Sequence, residues 1–415
     1  MIRAWLVLAL LAGIAHAETI AITNTTIYAR PDQKLEGATI VMRDGTITAV
    51  GKGVPVPAGA TIVDGTGKVV TAGLIEASTQ IGLVEVDLEA TGNDGRFNTQ
   101  PQEVYAAYRS RDAYDARSVA IPVARTGGVT SAITGPSGAL VAGQAAFVSM
   151  GGGATPPAPL RAPIAMIAAL GRGSNQLASR GHAVEKLREL FDDVDLYRKN
   201  KGAFDRNQAR RLTAARLDLE ALIPVLEGRL LLVVRADSEV DIRALLALAA
   251  ERRLRIAITG GAEAWQLAKE LAAAKVPVIL DPTANLPDDL AAIDARDESP
   301  ALLAKAGVTV AISTVGNASA VRTLRQLAGI AVANGMTWEQ GLAAITRAPA
   351  QIFGIADRGT LERGRVADVV VWSGDPLELL SRAETVIVGG VVQSLVTHQT
   401  RLRDRYRTVP SQTPY

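Results

Sequence analysis

The chain has 415 residues, of which 48% are hydrophobic and 21% charged, a balance that excludes disorder and accommodates one large domain with a smaller one beside it. Lys and Arg number 44 against 42 Asp and Glu, so the net charge of +2 gives no electrostatic case for nucleic acid or an anionic membrane surface. There is no Cys, which excludes disulfides, thiolate zinc sites, iron–sulfur clusters and cysteine nucleophiles, and there are only 3 His.

Residues 1–17 read as an export signal peptide. Arg3 supplies the positive start, and Ala4 to Ile14 is an apolar run shorter than the roughly 20 residues that span a bilayer. Ala15-His16-Ala17 has the small-x-small form of a cleavage site; a buried N-terminal helix is the competing reading. Cleavage there gives a periplasmic or secreted chain starting at Glu18, without membrane insertion, and leaves His182 and His398 as its histidines.

From Ile20 to about Val70, apolar and polar residues alternate in short strands, with Asp44-Gly45 as a hairpin signal. Residues 366–380 and 384–398 repeat this texture. Neither end holds enough strands to be stable alone, so 18–70 and 356–400 are expected to pack as a composite β-sandwich. The intervening residues, 71–355, alternate strand and helix. Runs at 128–134, 163–170, 230–237, 255–261, 277–283 and 308–316 are β-rich and continuously apolar, as strands covered by helices should be. In the helical stretch 240–253, Ile242, Leu245, Leu246 and Ala249 share a face. Thr337-x-x-Gln340 is a capping box opening a helix towards Phe353. This alternation predicts an α/β fold with a (β/α)8 TIM-like barrel; a doubly wound open sheet is the alternative.

Residues 183–228 read as charged helices with a solvated face, or less readily as a partner surface. The glycines of the Gly/Pro loop 151–163 follow no nucleotide-binding spacing. The tail, 401–415, is polar and expected to fray.

Residues 67–83, GKVVTAGLIEASTQIGL, resemble the first-strand signature of the amidohydrolase superfamily, in the branch close to imidazolonepropionase, where it reads Gly-Leu-Ile-Asp-Ala-His-x-His. Residues 359–378 resemble the family's return into its sandwich domain, with a Gly-x-x-Ala-Asp-Leu-Val core, and 232–282 and 306–316 resemble its later barrel strands. The resemblance spans nearly the whole chain after the leader. It implies divalent metal at the C-terminal mouth of the barrel, held by two His on strand 1, often a carboxylated Lys on strand 4, one His each on strands 5 and 6, and an Asp on strand 8. By that resemblance the strand-1 histidines fall at Ser78 and Gln80 and the lysine near Ile167. The later ligands fall at Arg235, Gly260 and Val315.

A catalytic zinc needs about three His, Asp, Glu or Cys ligands and an open position for water. Val315 and Gly260 offer no side-chain donor, and Ser78 and Gln80 are weak neutral donors. Arg235 puts a permanent cation where the family holds a metal; at an effective dielectric near 20, like charges about 4 Å apart repel by roughly 4 kcal/mol. The expectation is a protein without a metal cofactor and without the family's hydrolytic nucleophile.

Other candidates stay open. His182 and His398 read as solvated structural residues. Glu85, Asp87 and Glu89 alternate, which suits a calcium or magnesium site or an acid/base pair, but equally a charged strand edge. Arg235 with Asp237 or Asp281 suits an ion pair filling a vacated cavity; Arg235 with Ser78, Gln80 and Thr314 suits a small anionic ligand. There is no Gly-x-Ser-x-Gly elbow and no evident Ser–His pair. The expected function is that of a pseudoenzyme, a small-molecule-binding subunit or one that assembles with itself or with a catalytically intact relative. The alternative is a hydrolase of non-peptide carbon–nitrogen bonds with an unconventional site.

Overall fold

The computed structural model describes residues 19–97, 102–152, 159–171, 179–206, 210–284, 286 and 290–407. The expected signal peptide 1–17, the centre of the Gly/Pro loop and the end of the tail lie outside these residues.

Both ends of the chain meet in one eight-stranded sheet. Strands β1 (Thr19–Arg30), β2 (Gln33–Arg43), β3 (Thr46–Gly51), β4 (Thr61–Asp64) and β5 (Val69–Ala72) come from the N-terminal side. The turn between β2 and β3 is the expected Asp44-Gly45, with φ of 51° and 74°. Positive φ at both central residues gives the turn the twist of its flanking strands.

The middle of the chain forms a second eight-stranded sheet. Its strands are β6 (Leu74–Thr79), β7 (Val129–Thr134), β8 (Val141–Ser149), β9 (Arg161–Ala169), β10 (Leu231–Ala236), β11 (Ile256–Gly260), β12 (Val278–Leu280) and β13 (Val310–Ile312), neighbours in chain order from β6 to β13. The chain then returns through β14 (Val369–Trp372), β15 (Ala383–Val388) and β16 (Val391–Val392), and β14 pairs antiparallel with β5, Val370 opposite Thr71. The terminal sheet is therefore a single sheet in the order β16-β15-β14-β5-β1-β2-β3, with β4 also on β1. It closes over its own core of Ile20, Ile22, Ile40, Met42, Ile47, Val369, Val371 and Ile387. Strand β1 pairs first with β4, from Ile20 to Thr23, and then with β5, at Thr26 and Ile27.

The second sheet is a barrel that departs from eight parallel strands: β8 runs antiparallel to β7 and β9. Only residues 135–140 separate β7 from β8, and a parallel return needs a crossover of a dozen residues or more. The remaining neighbours are parallel. At the seam between β6 and β13, the Gly316 amide donates to the Ser78 carbonyl at 2.9 Å, and the Ser313 hydroxyl oxygen lies 3.0 Å from the same carbonyl. Alternate residues point into the lumen: Ile75 and Ala77, Ile133, Ala145 and Phe147, Ala165, Leu231 and Val233, Ala257, Ile279 and Ala311.

The helices outside cover the other face. Ser238 caps the helix Glu239–Arg252, which buries Ile242, Leu245 and Ala249 as expected, with Leu248 in place of Leu246. The Thr337–Gln340 capping box is present, but its helix ends at Ala344 and a separate one, Arg347–Ile352, leads to Phe353. The charged segment forms Arg180–Lys199, Lys201–Asp205 and Arg216–Leu226. Its charges are not all solvated. Asp193 is fully buried, where its carboxylate accepts from the Thr213 amide at 2.7 Å and hydroxyl at 2.9 Å, and pairs with Arg210. His182 lies in the first turn of that segment beside Glu185 at 3.4 Å. His398 opens a helix, His398–Tyr406, rather than ending a strand; none of that helix is buried, and it replaces the start of the frayed tail. No helix among the described residues is long and apolar enough to cross a membrane.

The two sheets are tied together by large side chains. Tyr28 of β1 packs on Trp338, ring centroids 4.3 Å apart, and the Trp338 indole donates to Asp375 at 2.8 Å. Buried Trp372 of β14 donates to Thr71 of its own sheet at 2.9 Å and packs its ring against Gly128 before β7, where an added Cβ would lie 2.3 Å from it. Arg325, buried between barrel and terminal sheet, donates to the carbonyls of Pro376, Glu378, Leu379 and Ser381 and so fixes the loop after β14.

Candidate functional site

A cavity of about 520 Å³ enters the barrel at the C-terminal ends of its parallel strands. Bulky branched residues usually fill such a lumen in layers. Here Ala77, Ala139, Ala142, Ala168 and Ala169 line it, and their small side chains leave room. Ala77, Ile133, Ile167, Val233 and Phe353 form apolar walls, with the Phe353 carbonyl held by Arg161 at the opposite end of β9.

The rim carries the polar groups. Register places Ala169, Arg235 and Thr259 side by side on β9, β10 and β11, one layer above Ile167, Val233 and Ala257. Arg235 has half its side chain exposed, and its Nε donates to Asp237 at 3.2 Å. Among the described residues nothing hydrogen-bonds its two terminal nitrogens. Thr259 is 6% exposed, lines the cavity, and its hydroxyl has no hydrogen-bond partner among the described residues.

The structure brings Ser78, Gln80, Ile167, Arg235, Asp237 and Val315 together around this cavity. It does not bring Gly260, Asp281 or Thr314 there. Gly260 turns away, and a Cβ built on it would lie 2.2 Å from Asp237. The β11 residue presented to the cavity is Thr259, one place earlier. Asp281 instead accepts through Oδ1 from the Thr283 amide at 2.8 Å and hydroxyl at 2.6 Å, within its own turn, and the Arg235 partner is Asp237. Gln80 is committed elsewhere: its amide donates to Gly95 at 3.0 Å and Ser137 at 2.9 Å, and its oxygen accepts from Arg96 at 2.8 Å. It anchors the loop 81–97 against residues 135–140 and has no free donor for a ligand.

Glu85, Asp87 and Glu89 do not converge. Glu85 accepts from the Val119 amide at 2.9 Å, Asp87 pairs with Arg96 at 2.9 Å, and Glu89 caps the turn at Thr91. Among the described residues no group of three or more His, Cys, Asp or Glu is arranged to hold a metal ion. The family's divalent metal does not fit the donors at this mouth, which are a guanidinium with one carboxylate, hydroxyls, and a spent amide.

One residue of the seam escaped the sequence reading. Glu76, in the middle of the apolar β6, is fully buried. Its carboxylate accepts from the Ser78 amide at 3.1 Å, the Thr314 amide at 3.3 Å and the Thr314 hydroxyl at 3.2 Å, and also from the Ser313 hydroxyl. This explains why Thr314 is not at the mouth. Burial pushes the Glu76 carboxyl up to about 7, although each of these hydrogen bonds pulls it down. The clasp holds the turn after β13, in which Val315 takes a φ of 42°. A β-branched residue in that region is strained, and it persists only where its surroundings over-determine it. A carboxylate in a run of apolar strand residues was the available signal.

The amidohydrolase family model matches residues 332–393. An amidohydrolase from Thermotoga maritima MSB8 is 28% identical and has a TM-score of 0.82, covering 90% of this chain and 99% of its own. A molinate hydrolase, 16% identical with a TM-score of 0.57, covers 96% of this chain and 99% of its own. A mutant atrazine chlorohydrolase from Arthrobacter aurescens TC1, in complex with zinc and atraton, is 18% identical with a TM-score of 0.53, covering 93% and 98%. The last two show the shared fold alone. No curated protein matches the sequence. In its barrel, its terminal sheet and the match of its C-terminal segment, the chain is similar to proteins of the amidohydrolase superfamily.

Proposed function

We propose that this protein is a non-hydrolytic member of its superfamily, exported to the periplasm, whose barrel mouth binds a small anionic molecule through Arg235. The observation that carries this reading is the Arg235 fork at the rim of an open cavity of mixed polar and apolar lining, with Asp237 holding Nε and leaving the terminal nitrogens to an incoming anion. The missing cluster of acidic or imidazole donors among the described residues supports it from the other side. A carboxylate or similar anion at the guanidinium would be bound without chemistry, because no group at the mouth activates water as the family's metal does. The same face makes the chain suited to act as a binding subunit, alone or alongside an intact relative.

Three measurements test this. Metal analysis after dialysis is expected to find no stoichiometric zinc, manganese or iron. Assays on carbon–nitrogen substrates are expected to show no chelator-sensitive turnover. N-terminal sequencing of protein recovered from the periplasm is expected to start at Glu18. Tightly held metal with turnover abolished by a chelator overturns the proposal. The competing reading, a hydrolase of non-peptide carbon–nitrogen bonds, is favoured by one observation: the 28% identical relative is an amidohydrolase. Turnover that survives chelation and is lost in Asp237→Asn would select it.

A further inference from the structure

Buried hydroxyls are rarely left without a partner, and an unpaired one carries a desolvation cost. Thr259 is such a group: its hydroxyl is buried and unpaired among the described residues, and its side chain is among those that line the cavity. Its neighbour in register across β10 is Arg235. Adjacent strands lie about 4.8 Å apart, so the two side chains start from neighbouring positions on the same face of the barrel wall. Below them the lining is apolar: Val233, Ile167, Ile133 and Phe353.

We infer that the mouth recognises an α-oxygenated monocarboxylate with an apolar tail, its carboxylate on the Arg235 fork, its α-hydroxyl or α-oxo oxygen on the Thr259 hydroxyl, and its tail in the alanine-lined lumen. This rests on the anion-binding reading above and specifies its ligand. Three features set the class. The fork takes a planar carboxylate through two parallel N–H bonds. The Thr259 hydroxyl lies one strand aside, which suits an oxygen on the adjacent carbon rather than a second carboxylate oxygen. Asp237, fixed against Nε at 3.2 Å, puts a negative charge beside the fork and disfavours a dianion. The hydroxyl can donate to an oxo group or to a hydroxyl oxygen, so both oxidation states belong to the class.

Isothermal titration calorimetry on the full chain tests it with phenyllactate, phenylpyruvate, hydrocinnamate and phenethyl alcohol. Phenyllactate or phenylpyruvate is expected to bind roughly tenfold more tightly than hydrocinnamate, which lacks the α-oxygen, and phenethyl alcohol, which lacks the carboxylate, is expected to bind far more weakly. Thr259→Val keeps the side-chain shape; it should bring the α-oxygenated acids down to the hydrocinnamate level and leave hydrocinnamate unchanged. Arg235→Met should abolish binding of all three acids. If hydrocinnamate matches phenyllactate and Thr259→Val alters neither, the α-oxygen contact is overturned while the anion-binding mouth stands. If no acid binds in a manner that depends on Arg235, the anion-binding reading itself fails and the ligand class falls with it.

Discussion

Glu76→Gln gives the most direct access to the physics of the barrel seam. The carboxyl rises from an ordinary value near 4.5 to about 7 in the folded protein, and desolvation is the main cause. An acid held above its unfolded value makes the native state the better proton binder. Its stabilising contribution is complete below about pH 4.5 and is lost as the pH rises towards and through about 7. Each tenfold gain in proton affinity is worth about 1.4 kcal/mol, so the whole effect is about 3 kcal/mol, most of it falling between about pH 5 and pH 8. Glutamine keeps the size and one acceptor oxygen but does not titrate. Its NH2 must face the Thr314 side, where the hydroxyl can turn to accept, so a modest cost of about 1 kcal/mol is expected at low pH. The assay is urea unfolding of wild type and Glu76→Gln at a series of pH values. The wild-type stability should fall across this window relative to the variant by about the amount above. Parallel curves for the two proteins would refute the assignment of a buried, titrating carboxyl at the clasp.

Three further outcomes follow from named contacts. Arg235→His should not create a zinc site: the acidic neighbour it would join is Asp237, and about three ligands are needed, so zinc should be removed by dialysis. Val315→Gly should raise stability by about 1 kcal/mol in denaturant titration, because relief of the left-handed strain outweighs the added chain entropy. A loss of stability there would show that the Val315 side chain contributes more through packing than its backbone costs. Arg325→Met should destabilise by about 3 kcal/mol or more, since it leaves the carbonyls of Pro376, Glu378, Leu379 and Ser381 without their donor, and proteolysis should then cut first within residues 376–381.

The sequence alone determined the local features, because those depend on neighbours along the chain. The Asp44-Gly45 hairpin, the Thr337 capping box, the apolar strand runs and the scarcity of His are of this kind. So was the chemical identity of what stands on the strands, which is why Arg235 could be singled out. Tertiary structure decided which way each side chain faces, because strand register and pairing are set by partners far away in the chain. It made β8 antiparallel, turned Gly260 aside and put Thr259 beside Arg235. It also spent Gln80 on Gly95, Ser137 and Arg96, and buried Glu76 against a turn 237 residues away. A one-residue displacement along a strand exchanges the lumen for the outer layer, and no composition or periodicity records that choice.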